Sequence, residues 1–452
     1  MNASGATSPL FAHTSPSMIV AYRGGIAIEA QEFLADATHL AAAMPAGAHV
    51  LNVCADRYLF TVGLAACLMT GRVSLLPSTH TAEVIRRLIG FAPDAFCLTD
   101  DPACAIELPR FQFPPLAREP VPWQVPMLPA AQLAAIVFTS GSSGIPIPHR
   151  KTWGKLARCV ADGAPRLGLH EGGAHTLVGT VPAQHMYGFE STVLLALLSG
   201  NAFSAARPFY PADIQAAVAA VPTPRVLVST PVHLRALLVD GTRLPRVDLI
   251  VSATAPLSVE LALEVEAHYG CRLLEIYGST ETGQIATRRT AESVSWHLWN
   301  NVRLVARDGQ VFAQGGHVEQ MTALGDVVEL TAPEHFLLHG RTADLINIAG
   351  KRSSLGYLNV QLQSIPGVVD GVFFLRGSVT GRIGVARVAA AVVSPELSAA
   401  ELIEQLRQRI DPVFLPRPLI IVDRLPRNAT GKVTREELQS LADRHLRDAS
   451  HP

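Results

Sequence analysis

Short strand patterns alternate with helix-length segments in two long stretches of this chain, and this alternation constrains the fold more than any other feature. The apolar runs HVLNVC, from His49, and RVSLLP, from Arg72, are separated by the helical RYLFTVGLAACLMTG. After the proline-rich connector FQFPPLAREPVPWQVPMLP, the alternation resumes and continues to CRLLEIYG, which ends at Gly278. Strands separated by helices of this length form βαβ units, so the sequence predicts an α/β fold with parallel sheets.

The pattern changes twice beyond this region. Between Trp296 and Leu338, short alternating strands with polar turns indicate a small antiparallel sheet or barrel. After LLHGRTADLINIAG, the chain continues with a strand (VARVAAAVV) and an amphipathic helix (AAELIEQLRQRI), which Ser398 and Glu401 precede at the spacing of a capping box. A chain of 452 residues is also too long for one core. We therefore expect a large N-terminal domain of parallel α/β sheets with a small β-barrel-like part (1–340), and a small α+β C-terminal domain (341–452).

Charge and composition argue against several classes of partner. The net charge is −1 and no lysine- or arginine-rich run occurs, which disfavours nucleic acid and anionic membranes as ligands. No apolar run approaches the roughly 20 residues of a membrane span, and the N-terminus lacks the pattern of a signal peptide. The six cysteines are scattered, without a CxxC pair, which is typical of reduced thiols. We expect a cytoplasmic protein.

Three segments carry the residue types of a nucleotide site. TSGSSG, from Thr139 to Gly144, offers backbone and hydroxyl donors that can converge on phosphate. EIYGSTETG, from Glu275 to Gly283, places hydroxyls and an acid after a strand that ends in Tyr-Gly. LPRNATGKVTREEL places Lys432 just before a helix start, where the helix dipole disfavours a cation. Each segment alone is equally consistent with an ordinary surface turn.

Together and in this order, the three segments resemble the AMP-forming adenylate superfamily, which includes acyl- and aryl-CoA synthetases, peptide-synthetase adenylation domains and luciferases. Four further segments are similar to motifs of this family: PAQHMYG, SATAPLS, LGD and GRTADLINIAGKR. The resemblance extends from about His49 to the last helix and preserves the order of the motifs.

The resemblance implies a role for each matching residue. The phosphates of ATP would lie against Thr139, Ser140, Gly141, Ser142, Ser143 and Gly144. Adenine would lie between the segment Tyr277, Gly278 and Ser279 and the segment Ala253, Thr254 and Ala255. Thr280 would contact the α-phosphate, Glu281 would bind Mg²⁺, and Asp326 and Arg341 would bind ribose. Lys432, on a mobile C-terminal domain, would bridge the α-phosphate and the substrate carboxylate. The acid pocket would include His185, Met186, Tyr187 and Ser252.

Two positions depart from the family pattern. Ile147 stands where the phosphate loop usually has a lysine, and Ala343 replaces a usual hinge aspartate. Arg150 or Lys151 could substitute for the loop lysine, or both could be solvated residues at the start of the next helix. The loop lysine contacts pyrophosphate and is not the main catalyst, so the resemblance still implies activity.

The implied activity is an ATP-dependent acid–thiol ligase that forms acyl-AMP and transfers the acyl group to a pantetheine thiol. Amino-acid-activating relatives have an aspartate where this chain has Met186, so we expect an aromatic or apolar acid. The thiol could belong to CoA or to the phosphopantetheine arm of an acyl carrier protein. Short bacterial ligases that this chain resembles occur in pigment and polyene pathways, which favours an acyl carrier protein. The alternatives are a nucleotide binder that has lost catalysis and a luciferase-type oxidase.

Overall fold

The computed structural model describes residues 5–116, 119–140, 146–169, 175–341, 345–348, 351–376, 387–427, 433 and 435–449. Its first segment contains β1 (Thr7–Pro9), β2 (Ile19–Arg23), β3 (Ile26–Glu29), α1 (Ala30–Ala43), β4 (His49–Asn52), α2 (Arg57–Met69), β5 (Val73–Leu76), α3 (Ala82–Phe91), β6 (Phe96–Thr99) and β7 (Arg110–Gln112). The predicted alternation of strand and helix from His49 to Thr99 is therefore confirmed.

The next segments continue the alternation as far as the second of the three predicted site segments. They contain β8 (Met127–Pro129), β9 (Leu133–Ser140), β10 (Pro146–Thr152), α4 (Trp153–Leu167), β11 (Thr176–Gly179), α5 (Met186–Gly188), a π-helical turn (Phe189–Leu194), α6 (Leu195–Ser199) and β12 (Ala202–Ser204). They continue with α7 (Pro211–Ala219), β13 (Arg225–Ser229), α8 (Pro231–Val239), β14 (Leu249–Ser252), α9 (Val259–Tyr269), β15 (Arg272–Ser279) and β16 (Gly283–Arg288).

Two large sheets organise this part of the molecule. The first has the strand order β10-β9-β5-β4-β6-β7, with parallel pairing from β9 to β7. In the second sheet, β12, β11, β13, β14 and β15 are parallel neighbours. Because the carboxyl ends of parallel strands share one edge, the loops after β14 and β15 lie side by side.

Helix α2 packs with both sheets and is buried along almost its whole length, as expected for a helix that is apolar on every side. Asp56 caps its N-terminus by accepting bonds from the backbone N–H groups of Tyr58 and Leu59. Its first residue, Arg57, is only 2% exposed. The Arg57 guanidinium donates to four carbonyl oxygens of the second sheet region, at distances between 2.7 and 3.0 Å.

The antiparallel strands predicted between Trp296 and Leu338 are present and continue to Arg341: β17 (Trp296–Leu298), β18 (Arg303–Arg307), β19 (Gln310–Gly315), β20 (Val318–Ala323), β21 (Asp326–Ala332) and β22 (His335–Arg341). Strands β18, β19 and β20 form a small separate sheet, whereas β16, β17, β22 and β21 extend the second large sheet. Strand β22 is the last strand before the predicted boundary at residue 341.

The C-terminal region has its own smaller core. It contains β23 (Leu345–Ile348), β24 (Lys351–Ser354), α10 (Leu355–Gln363), β25 (Asp370–Arg376), β26 (Arg387–Val393), α11 (Ala399–Arg407), a 3₁₀ turn (Pro412–Phe414), β27 (Leu419–Ile421) and α12 (Arg435–Ala449). The capping box predicted at Ser398 and Glu401 is present at the start of α11. The mixed α/β class, with a large N-terminal and a smaller C-terminal part, is confirmed. None of the helices in the described segments is both long and apolar enough to cross a membrane.

Candidate active site

The residues predicted to hold the nucleoside meet at one end of the second sheet. Tyr277, near the end of β15, is 8% exposed and packs its ring against Trp296 and Phe336, with centroid distances of 5.5 and 5.4 Å. Its hydroxyl donates a hydrogen bond of 2.7 Å to Asp326 Oδ2. Asp326 begins β21 and pairs in register with Arg341, the last residue of β22. The structure therefore brings together the predicted adenine-flanking tyrosine and both predicted ribose positions.

The predicted adenine segment lies on the neighbouring strand. Strand β14 runs parallel to β15, with Ser252 opposite Glu275, so Ala253, Thr254 and Ala255 emerge beside the end of β15. Thr254 has a φ of +79°, a left-handed conformation that is rare outside glycine. Such backbone strain costs about 1 kcal/mol or more and is concentrated at binding and catalytic sites. The segment thus has a conformation that the surrounding structure must impose.

A tight turn presents Thr280 and Glu281. Ser279 and Thr282 close this turn: the Ser279 N–H donates to Thr282 Oγ1 at 3.1 Å and the Thr282 N–H donates to Ser279 Oγ at 3.2 Å. At its base, a Cβ on Gly278 would lie 2.3 Å from the carbonyl oxygen of Gly283, so the close approach of these strands requires glycine there. The turn leaves the Glu281 carboxylate at the surface, available to a cation.

The phosphate-loop strand meets this turn through a histidine. Thr139, on β9, forms a 2.9 Å hydrogen bond from its Oγ1 to Nε2 of His149, on β10. The same Nε2 is 3.6 Å from Oε1 of Glu281. The start of the predicted phosphate loop and the predicted metal ligand are therefore neighbours, with His149 between them. The sequence reasoning missed His149, although its place on the same strand face as Ile147, two residues earlier, could have indicated it.

The substitutes considered for the missing loop lysine do not start a helix. Helix α4 begins at Trp153, and both Arg150 and Lys151 lie on β10, so neither is at a helix start. The expected solvation is confirmed for Arg150 and is wrong for Lys151. Arg150 is exposed, whereas Lys151 is only 7% exposed and its Nζ donates a 3.4 Å hydrogen bond to the carbonyl oxygen of Glu281. Ile147 is 49% exposed and pairs in register with Thr139.

The predicted acid segment enters the site from a helix start. Met186 and Tyr187, in the first turn of α5, are buried, and His185 directly precedes them. The Tyr187 hydroxyl donates a 3.0 Å hydrogen bond to the carbonyl oxygen of Val251, so it is already engaged with β14. Ser252, the next residue, is fully buried, and its Oγ has no hydrogen-bond partner among the described residues. This hydroxyl is therefore an orphan group that a bound ligand could satisfy.

A buried cluster of ionisable groups lies behind the turn. Glu190, in the π-helical turn, is 5% exposed, and Cys159 donates a 3.6 Å hydrogen bond to its Oε1. Burial raises the pKa of Glu190 to about 7, and the charge of Lys151 and the thiol bond oppose that rise. Burial also shifts the pKa of Lys151, in this case downward, and the charge of Glu190 opposes that shift. The sequence signal for this cluster was a lone acid within the apolar segment GFESTVLLALL.

Glu190 should make the protein less stable as the pH rises from about 4.5 to about 7. Its carboxyl has a folded pKa of about 7 against an ordinary value of 4.5, so in this window the folded state keeps a proton that the unfolded state has lost. The stability contribution is complete below pH 4.5 and is lost as the pH passes through 7; the shift corresponds to about 3 kcal/mol. The free energy of unfolding of Glu190→Gln, measured in urea, should therefore rise relative to that of the wild type by roughly this amount when the pH is raised from 4.5 to 8.

The matched control for this measurement is Glu260→Gln, on the exposed face of α9. Its unfolding free energy should stay within about 1 kcal/mol of that of the wild type. A Glu190→Gln variant that keeps a constant difference from the wild type would contradict a buried, proton-holding Glu190.

Several predicted site residues lie outside the described residues: Gly141, Ser142, Ser143, Gly144 and Lys432. The hinge position Ala343 also lies outside them. Ser140 and Arg341 are described only as backbone, at the ends of β9 and β22.

Two family models and several known proteins match this chain. The family model described as "AMP-binding enzyme" matches residues 7–317, and the model described as "AMP-binding enzyme C-terminal domain" matches residues 362–432. A 4-coumarate–CoA ligase from Rhodobacter capsulatus is 31% identical over 277 residues, which cover 61% of this chain and 67% of that protein. A 4-chlorobenzoate–CoA ligase from an Arthrobacter species is 24% identical over 370 residues, covering 71% of this chain and 68% of that protein.

Solved structures share the fold along nearly the whole chain. The o-succinylbenzoate coenzyme A synthetase from Bacillus subtilis, in complex with ATP and magnesium ion, superimposes with a TM-score of 0.80 at 20% identity, covering 96% of this chain and 100% of that one. ATP-bound MatB from Rhodopseudomonas palustris superimposes with a TM-score of 0.78 at 20% identity, covering 98% of this chain and 99% of that one.

Proposed function

Because this chain belongs to the AMP-binding enzymes of the AMP-forming adenylate superfamily, we propose that it is an ATP-dependent acid–thiol ligase. It converts a carboxylic acid and ATP to acyl-AMP and pyrophosphate, and then transfers the acyl group to the thiol of CoA. The curated relatives support this reading, since both of those described above are named as CoA ligases of aromatic acids.

One observation carries the proposal. Three segments that are far apart in sequence converge at one place: Thr139 from the phosphate-loop strand, Glu281 from the β15–β16 turn and Asp326 from β21. His149 connects the first two, and Tyr277 lies on the strand that leads to the turn and bonds to Asp326. A nucleotide needs hydroxyl donors, a cation ligand and a ribose acceptor close together, and this arrangement provides all three.

The residues present suit ATP and Mg²⁺. Thr139 and Thr280 offer hydroxyls toward phosphate, and Glu281 offers a carboxylate oxygen of the kind that Mg²⁺ prefers. Bound magnesium would neutralise part of the phosphate charge, which otherwise repels the attacking carboxylate. The chain itself supplies position: the reaction is an in-line displacement at phosphorus in which orientation and charge stabilisation do most of the catalysis.

We further propose that the acid is aromatic or apolar. Met186 is buried at the start of α5 and offers no charge for an α-ammonium group. The orphan Ser252 hydroxyl, behind the buried Tyr187, supplies one neutral polar contact. The pocket so lined favours an acid with a flat or hydrophobic body and at most a hydrogen-bonding substituent.

The C-terminal region, from residue 341, is proposed to bring Lys432 to the nucleotide for adenylation and to withdraw it for thioester formation. An acyl carrier protein as acceptor remains the alternative to CoA. The names of the relatives favour CoA, so we take CoA as the first acceptor to test.

The test is an ATP–pyrophosphate exchange screen over aromatic and aliphatic acids, followed by addition of CoA or of a phosphopantetheinylated carrier protein. We expect exchange that depends on the acid and is strongest with aromatic acids, and thioester formation with CoA. ATP binding without exchange for any acid would instead indicate a binder that has lost catalysis. Product formation that requires molecular oxygen would indicate an oxidase.

A further inference from the structure

A buried lysine supports the turn that carries the predicted metal ligand. The Nζ of Lys151 donates to the carbonyl oxygen of Glu281 at 3.4 Å, and Lys151 is only 7% exposed. A lysine ammonium is rarely buried, because its loss of hydration must be offset by opposite charge and hydrogen bonds. The adenylation chemistry proposed above gives this lysine no role.

The surroundings of Lys151 show what offsets its burial. The charge of buried Glu190 acts on it from the π-helical turn, and the charge of Glu281 acts on it from the neighbouring turn. Glu190 also lies against that turn, since a Cβ on Gly283 would come within 3.0 Å of Glu190 Oε1. Lys151 therefore bonds to the start of the short segment Glu281–Gly283, and Glu190 lies close to its end.

Alternate side chains of β10 point to the same face of the strand, and their burial increases along it. Ile147, His149 and Lys151 share one strand face and pass from 49% exposed, through half-buried, to 7% exposed. His149 meets the carboxylate of Glu281 from the outer side, whereas Lys151 meets the main chain of the same residue from the inner side. Lys151 therefore points into the protein and does not replace the phosphate-loop lysine that Ile147 displaces.

We propose that Lys151 is a positioning residue, which, together with Glu190, fixes the main chain at Glu281 so that the carboxylate is held where it can bind Mg²⁺. This inference rests on the proposed function, which assigns Glu281 to the metal. Lys151 bonds to the main-chain carbonyl of Glu281. It therefore acts through Glu281 and contacts neither the nucleotide nor the acid.

The experiment compares Lys151→Met with Lys155→Met, which removes an ammonium group that pairs with Glu319 away from the proposed site. Acid-dependent ATP–pyrophosphate exchange is measured at fixed ATP over a range of free Mg²⁺, together with thermal unfolding. Removing a residue that orients a metal ligand weakens metal affinity by about 10- to 100-fold. We expect Lys151→Met to need at least about tenfold more Mg²⁺ for half-maximal exchange, and Lys155→Met to match the wild type. If Lys151→Met does not fold, Lys151→Gln, which keeps a donor, should shift in the same direction by less.

A second comparison separates positioning from a structural role. If Lys151 acts through Glu281, then Lys151→Met/Glu281→Gln should exchange no more slowly than Glu281→Gln alone. An unchanged Mg²⁺ requirement, or losses that multiply in the double variant, would overturn the inference while leaving the proposed function intact. No exchange by the wild type with any acid would instead overturn the proposed function, and this inference with it.

Discussion

Replacing Arg57 by methionine should lower the free energy of unfolding by about 4 kcal/mol or more. The Arg57 guanidinium is buried and donates to the carbonyl oxygens of Gly179, Val181, Ser204 and Ala206. Methionine fills much of the same space but leaves the buried carbonyls of Gly179, Val181 and Ser204 without this donor, and each unsatisfied group costs about 1–3 kcal/mol. Unfolding in guanidinium chloride measures this loss, which should lower the denaturant concentration at the midpoint of the transition.

Arg110→Met is the matched control. Arg110 also donates to two carbonyl oxygens, those of Pro102 and Cys104, but it is exposed, so water can replace it. Its loss should stay within about 1 kcal/mol. Equal losses in the two variants would mean that burial does not set the cost. Because Val181 begins the segment that leads to His185, Arg57→Met should also impair acid-dependent exchange in whatever fraction remains folded.

Replacing Lys432 by alanine should slow acyl-adenylate formation by at least about a hundredfold, which corresponds to about 3 kcal/mol of transition-state stabilisation. The reason is electrostatic: a carboxylate approaches a phosphate of like charge, and the lysine assigned by the family resemblance neutralises both. Thioester formation from supplied acyl-AMP and CoA should be nearly unchanged, since the lysine is proposed to have left the site by then. Single-turnover measurements of the two half-reactions test this difference.

Lys155→Ala serves as the control for Lys432→Ala. Lys155 lies on α4 and forms a 3.2 Å ion pair with Glu319, so its removal also deletes one positive charge. Both half-reactions should keep their wild-type rates in this variant. A Lys432→Ala enzyme that loses both half-reactions equally would contradict the assignment of the lysine to the first step alone.

Local patterns in the sequence predicted most of the architecture. The α2 segment RYLFTVGLAACLM, apolar on all sides, became the buried helix, and Ser398 with Glu401 capped α11 as their spacing indicates. The segments at Thr139, Tyr277 and Asp326 also fall where parallel strand ends and one antiparallel hairpin bring them together. The helix and its cap depend on short-range patterns, which a sequence displays directly, whereas the grouping of the three site segments was implied by the family resemblance.

Contacts between distant segments could not be predicted in this way. Lys151 and Glu281 are 130 positions apart, and no local pattern shows that the side chain of one reaches the main chain of the other. The position of Lys151 in the sequence, just before a helix, is consistent both with a solvated side chain and with a substitute for the loop lysine. Its burial follows from the inward face of β10, which depends on the register with β9. Glu190 stands out in the sequence as a lone acid in an apolar segment, but its proximity to Lys151 is visible only in the structure.

The pairing of Asp326 with Arg341 has a practical consequence for dissecting the protein. These two positions face each other across one hairpin, and Arg341 is also the last residue of β22, at the predicted junction of the domains. A cut placed at residue 340 would assign the two residues that are proposed to bind ribose to different fragments. An isolated N-terminal fragment meant to retain nucleotide affinity should therefore extend past Arg341, so that Asp326 keeps its partner on β22.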